Sequence, residues 1–305
     1  MELEARLRAF AAFVRRHSFS AAAAELRISQ PAVSKHVADL ERALGVKLVE
    51  RSRRDGSLTS AGEFVANHVL RAEALLAQTA VGVADFRNSA SGSLAIVASW
   101  VTGTYLLPEI IAEFQHSHPA VRIRLELGTA AEAVEWLRLH RAELGVIAGI
   151  VGGPEIEAEP LLENEIVIVG RPTLVRSRPS RENLESLTWI SREEGSATRT
   201  ASDEALARLG IVPRRRLELP SYEAVVQALK KGYGIAAISR FVIAEALRSG
   251  SLTVVAVRGW LVSSTISVLR VRDAVLTPSS DQFQSFVRKR FSEISRVASL
   301  ERQGL

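Results

Sequence analysis

Cysteine is absent from all 305 residues, which excludes disulfides and thiolate metal sites together. No apolar run reaches the roughly 18 residues that a membrane-spanning helix needs. Glu2, Glu4, Arg6 and Arg8 occupy the stretch where a signal peptide would be uninterruptedly apolar, so a cytoplasmic protein is expected. The signatures of common catalysts are also missing: there is no Gly-x-Ser-x-Gly elbow, no P-loop and no paired-histidine motif. His116 and His118 stand two apart without a third ligand nearby, a poor metal site. These absences argue against an enzyme and imply no cofactor.

Apolar residues make up 47% of the chain and charged ones 24%, the balance of a globular protein with a real core. The length suggests two or three compact units. The net charge is +5, carried mainly by arginine, which permits an anionic partner.

In the first sixty residues Leu7, Phe10, Ala11 and Val14 recur at helical spacing, predicting an amphipathic helix over 3–17. Ser18 or Ser20 can cap a short alanine-rich helix, SAAAAEL, that allows a neighbour to approach closely. After the RIS break, Ser29 is a good N-cap, Pro31 falls in the first turn and Gly45 is a natural stop, so a third helix runs from Gln30 to Leu44. Val33, Val37, Leu40 and Leu44 form its core face, while Gln30, Ser34 and Lys35 lie on another face near its start. These are hydrogen-bonding side chains suited to base edges: glutamine to adenine, serine to donors or acceptors, lysine to guanine or phosphate. The arrangement is a helix-turn-helix. From Arg27 to Arg54 there are seven Lys/Arg against three Asp/Glu, a local +4 suited to a phosphate backbone. VKLVE, RDG and SLTS then read as strand, turn, strand, a hairpin tipped by Arg51, Arg53 and Arg54 that would make a basic wing.

FSAAAAELRISQPAVSKHVADLERALGVKLVER followed by LTSAGE resembles the DNA-binding region of LysR-type transcriptional regulators. The resemblance implies groove contacts from Gln30, Pro31, Ser34 and Lys35 and wing contacts from Arg51 and Arg53. Val49 stands where the family pattern has an aromatic, which is expected to loosen the packing under the wing.

Between Ser60 and Asn88 there is no proline. Val65, Val69, Ala72, Leu76, Thr79, Val83 and Phe86 step alternately by four and three, a heptad seam. It is read as a dimerisation helix, with packing on its own domain as the alternative; a two-fold dimer would present two recognition helices to two half-sites. RNSASGS follows as a polar hinge.

From Leu94 onward strand and helix patterns alternate, predicting a mostly parallel sheet covered by helices. TYLLPEIIAEFQHSH reads as a single helix in this series. The segments GSLAIVASWVTGTYLLPEIIAEFQHSHPAVRIRLELGTAAEAVEWL, EGSATR and LPSYEAVVQALKKGYGIAAISR resemble the LysR-type effector domain, itself similar to type 2 periplasmic binding proteins. The expected architecture is therefore α+β and multidomain: a winged helix-turn-helix at 1–59, a linker helix at 60–88 and an effector-binding α/β domain at 92–292. The effector domain would comprise two subdomains, 92–161 with 266–292 and 162–265, flanking a cleft.

Hydroxyl-rich turns at strand ends suit a small anion, because backbone N–H groups and helix dipoles converge there. By resemblance, Ser99, Trp100, Thr102, Thr129, Ser196 and Thr198 are the expected effector contacts, although serine and threonine also cap helices everywhere. Arg199 is a further candidate for pairing with an anion, and Trp100 replaces a usually small residue. The resemblance implies promoter DNA, further copies of the chain in a dimer or tetramer, a small-molecule effector and RNA polymerase as partners. A plain small-molecule binding protein is the competing reading, since the C-terminal fold alone would serve it. The N-terminal sixty residues favour the regulator. An acyl-transfer enzyme would need a nucleophile–base pair in the cleft.

Overall fold

Local caps set the first helices. In the computed structural model, which describes residues 2–50, 57–87, 92–149, 152–175 and 179–303, helix α1 spans Glu2–Arg16, α2 Phe19–Leu26 and α3 Gln30–Leu44. Ser18 accepts from the Ala21 N–H and Ser29 from the Ala32 N–H, each at 3.4 Å. Gly45 ends α3 at φ +71°, a conformation that costs glycine little. Phe10, Phe13, Val33, Val37, Leu40 and Leu48 close the core of this unit, with Phe13 and Phe19 stacked at 4.4 Å. Leu44 does not join them and is 46% exposed. The last turn of α3 runs past the edge of the core, and Glu41 turns inward instead, at 3% exposure.

After α3 the chain makes an antiparallel bridge between Val49 and Leu58. Val49 is buried against the same core, so the smaller side chain leaves it well covered. The wing tip with Arg51, Arg53 and Arg54 lies outside the described residues. Helix α4, Ser60–Arg87, follows. It comes so close to the preceding strand that a Cβ on Gly62 would sit 2.0 Å from the Leu48 carbonyl oxygen.

The chain divides into two compact units, residues 1–80 and 81–305. The second contains strands β1 (Ser93–Ala98), β2 (Arg122–Leu127), β3 (Leu144–Ala148), β4 (Ile156–Gly170), β5 (Thr188–Ser191), β6 (Arg215–Glu218), β7 (Ile235–Ser239), β8 (Thr253–Val254) and β9 (Ser263–Val271). Their order is β2-β1-β3-β9-β4-β7-β5-β6, with β8 against β4. The sheet is mixed rather than mostly parallel. β1 runs parallel to β2 and β3, and β5 to β6 and β7, whereas β9 and β4 are antiparallel to their neighbours. The reason lies in β4, a 15-residue strand that pairs with β9 along its first part and with β7 along its last. It thereby carries one half of the sheet into the other. Pro160, which cannot donate to a ladder, marks a register shift in β4. Just beyond it, buried Asn164 donates to Ser264 at 2.9 Å and accepts from Ser239 at 2.5 Å, tying β4, β9 and β7 together.

The helices of this unit are α5 (Trp100–Tyr105), α6 (Leu107–Ser117), α7 (Ala130–Arg138), α8 (Arg181–Ser186), α9 (Ala197–Leu209), α10 (Tyr222–Lys230), α11 (Ala244–Arg248) and α12 (Pro278–Gln303). The single helix expected across 104–118 breaks at Leu106, because Pro108 lacks the N–H that would continue the ladder and its ring crowds the previous turn. Among the described residues no helix is long and apolar enough to cross a membrane.

Candidate nucleic-acid interface and effector cleft

The start of α3 is an exposed polar edge on a firm base. Gln30, Pro31 and Lys35 are exposed and Ser34 is half-buried, while Val33, Val37 and Leu40 directly behind them are fully buried. α1 is tied to its other neighbours through ion pairs: Arg15 donates to Glu25 of α2 at 2.6 Å and to Glu73 of α4 at 2.5 Å, and Arg16 reaches Glu25 at 2.6 Å. The C-terminal end of α3 is held by Glu41, whose carboxylate accepts from the Leu48 N–H at 2.9 Å, the Val49 N–H at 3.3 Å and Lys47 at 2.8 Å. Sequence reasoning passed over this residue. The signal was available: Glu41 continues the Val33, Val37 row at a spacing of four, and a carboxylate in an apolar row needs buried partners.

The seam expected along α4 divides. Val65 packs on the core of the first unit and Val69 is 8% exposed, so both face their own domain. Ala72, Leu76 and Val83 are exposed, with Leu76 at 72%. The Phe86 side chain lies outside the described residues.

In the second unit, Trp100 at the start of α5 meets side chains from the other half of the sheet. The Arg192 guanidinium, just past β5, lies 5.6 Å from the Trp100 ring centroid and 4.6 Å from that of Tyr222. Arg192 is only 6% exposed and is paired through two nitrogens with Glu193 at 2.7 and 2.6 Å. Burial pushes the Glu193 carboxyl up, but the Arg192 bonds, its own backbone N–H and the charges of Arg192 and Arg199 together outweigh that and hold the group below its ordinary value. The Tyr222 hydroxyl meets Thr198 at 2.8 Å. Beside this cluster Tyr105 of α5 donates to Glu223 of α10 at 2.8 Å, a second link between the halves. Burial and the Glu223 carboxylate raise the Tyr105 phenol above its usual value.

The remaining candidates are engaged in different ways. Thr102 is fully buried and donates to the Val146 carbonyl at 2.5 Å, and Ser99 accepts from the Ala148 N–H at 3.0 Å, so these hydroxyls brace the ends of β1 and β3. Thr129 caps α7 in a reciprocal box with Glu132. Ser196 occupies the N-cap of α9 without a side-chain cap bond. Arg199 is paired with Glu218 at 2.6 Å and also meets Asp203 and Glu194. Structure thus joins Trp100 and Thr198 through Arg192 and Tyr222, two residues the sequence reading did not select. A strand-end position was the available clue to Arg192, since open α/β sheets bind ligands there.

The family model for the LysR substrate binding domain matches residues 87–292, and that for bacterial regulatory helix-turn-helix proteins of the lysR family matches residues 5–63. The chain belongs to the LysR family of transcriptional regulators. Its relatives include the uncharacterized HTH-type transcriptional regulator YeiE of Escherichia coli, 36% identical over 82% of this chain and 85% of that protein. Among solved structures, full-length CbnR complexed with its target DNA shares the fold, with a TM-score of 0.68 at 21% identity across 95% of this chain and 99% of that one. The CcmR regulatory domain of Synechocystis PCC6803 in complex with 2-PG has a TM-score of 0.59 at 22% identity across 65% of this chain and 97% of that one. As a LysR regulator the protein is a DNA-binding transcription factor with an effector-binding domain, not an enzyme. The helix-turn-helix match takes in α1 to α3 and the start of α4, and the effector-domain match contains the Trp100–Arg192–Tyr222 cluster.

Proposed function

We propose that this regulator reads promoter DNA with Gln30, Pro31, Ser34 and Lys35, in a cytoplasmic dimer or tetramer whose DNA affinity or geometry responds to a small anionic effector in the cleft of its second unit. The observation that carries the DNA reading is the exposed polar start of α3 standing on fully buried Val33, Val37 and Leu40. Such an edge fits a major groove without disturbing the core behind it. Gln30→Ala lowers affinity for the specific site by about 1–3 kcal/mol and leaves nonspecific binding unchanged. A gel-shift titration at fixed salt checks this; equal loss on specific and nonspecific duplexes would remove Gln30 from direct readout.

A second copy is the proposed occupant of the trough of about 900 Å³ between α1 and α4, bordered by Leu7, Val69, Ala72 and Leu76. Exposed Leu76 beside it supports pairing along the later part of α4. The subdomain boundaries proposed are those near 162 and 265, where β4 and β9 pass between the half-sheets.

For the effector, the buried cation between two aromatic rings supports an anion entering between Trp100 and Arg192. Trp100, 44% exposed, is the residue proposed to line the entrance. Thr198 and Ser196 stand close enough to Tyr222 and the start of α9 to serve as neighbours of that anion. Trp100→Ala changes the ranking of affinities for a panel of small carboxylates and phosphate measured by calorimetry. Unchanged affinities across the panel would take Trp100 out of the site.

A further inference from the structure

Ile28 stands in the turn between α2 and α3, 40% exposed, and is the large aliphatic side chain beside a leading edge made of Gln30, Pro31, Ser34 and Lys35. Its backbone is firmly set. The Ile28 N–H donates to the Ala23 carbonyl at 3.1 Å, and Arg27 before it takes the left-handed conformation, φ +56°, donating to Ala24 at 3.3 Å. This pattern closes α2 and ordinarily brings an apolar residue back onto the helix it ends. Packing of that kind would cover Ile28, yet a large part of it remains open to solvent. Only Ser29 separates it from Gln30, so the two Cα atoms are at most about 7 Å apart, roughly two base-pair rises.

A rigid aliphatic group held beside a base-reading glutamine has one apolar counterpart on the floor of the major groove, the C5-methyl of thymine. We propose that Ile28 is a specificity-determining residue that packs against a thymine methyl group, next to the base pair contacted by Gln30. The inference rests on the assignment of the α3 edge to DNA reading. It adds an apolar element to recognition that hydrogen-bonding side chains alone cannot supply: selection of thymine over cytosine or uracil at one position of each half-site. Burial of one methyl group corresponds to a loss of about fourfold in affinity when that group is deleted.

The test uses the full-length protein and a duplex selected from a random pool by its own binding. Each thymine of the selected site is replaced singly by deoxyuridine, which removes the methyl group and leaves base pairing intact. Wild type is expected to lose about fourfold in affinity at one position per half-site. Ile28→Ala is expected to bind the parent site more weakly and to be indifferent to deoxyuridine there, while Ile28→Val retains part of the discrimination. Ile28→Ala and wild type should bind nonspecific duplex equally, which establishes that the variant is folded. If no thymine in the site is sensitive, or if Ile28→Ala keeps the full deoxyuridine penalty so that Pro31, Ala32 or DNA shape supplies it, the proposal is overturned. A pool that yields no enriched sequence overturns the DNA-reading assignment itself, and this inference with it.

Discussion

Gly62→Ala is expected to lower the stability of the N-terminal unit by about 3 kcal/mol or more, over 10 °C in the midpoint of a unit this size, and to abolish specific DNA binding. A methyl group at this position would lie 2.0 Å from the carbonyl oxygen of Leu48 and 2.9 Å from its carbonyl carbon. Both are backbone atoms and cannot rotate aside. The same Leu48 carbonyl accepts from the Thr59 N–H at 3.0 Å, and Thr59 in turn donates to the Lys47 carbonyl at 2.6 Å and accepts from the Gly62 N–H at 2.9 Å. Moving α4 outward to admit the methyl group therefore breaks the bonds that hold Thr59 against Lys47 and Leu48. Calorimetry of the full chain, with a gel shift alongside, reads the result: the transition of the first unit falls and that of the second stays. Unchanged melting and unchanged DNA affinity would show that the helix can back away freely.

The second large effect centres on Glu41. Glu41→Ala is expected to cost about 2–4 kcal/mol, because it leaves the buried N–H groups of Leu48 and Val49 without an acceptor. The charge itself adds a pH dependence. Burial pushes the Glu41 carboxyl up, but Lys47 and the two backbone N–H groups outweigh that and hold it below its ordinary value. The folded state then binds its proton less readily than the unfolded chain does. The stabilisation is complete at pH values above the ordinary carboxyl range and drains away as pH falls through the lowered folded value. Glu41→Gln, which keeps an acceptor oxygen and loses the charge, should flatten the acid limb of the melting-temperature profile and be milder than alanine near neutral pH. An acid limb identical in wild type and Glu41→Gln would assign the acid sensitivity to other carboxylates.

The two predictions concern one joint, since Glu41 and Gly62 both act on residue 48. That joint fixes how the chain leaves α3, so under the proposed function its failure is expected to reach DNA binding even though neither side chain belongs to the proposed reading edge. The Trp100 and Gln30 variants differ in kind, because under the proposed function they are expected to alter what is bound while leaving the fold intact.

Reading of the first unit from its residues went far because its signals are short-range. Ser29, Pro31 and Gly45 set both ends of α3 through bonds that span only three or four residues, and Val33, Val37 and Leu40 follow from helical periodicity alone. Leu44 is where periodicity stopped being informative: the helix continues, but the core beneath it ends. Pro108 is an equally local signal, yet reading 104–118 as one helix misses the break between α5 and α6.

Other features needed the folded chain. Which part of the α4 stripe faces its own domain depends on where α1 and the wing strands lie, so Val65 and Val69 could not be separated from Leu76 by spacing. The long β4 with its antiparallel partners is a product of non-local pairing, in which Ile156 meets Val271 and Ile166 meets Ser239. Thr102 and Thr198 look alike as hydroxyls near helix starts, yet one is committed to Val146, 44 residues away, and the other to the Tyr222 hydroxyl.

By itself, then, the amino-acid order determined the helix-turn-helix, its polar leading edge and the family, because caps, periodicity and contiguous motifs act over a few neighbouring residues. Only tertiary structure decided that Trp100, Arg192 and Tyr222 form one cluster and that Ser99 and Thr102 are spent as braces. Those assignments rest on which distant groups satisfy a buried polar atom, and no local pattern encodes the identity of a partner that the sheet brings in from another strand.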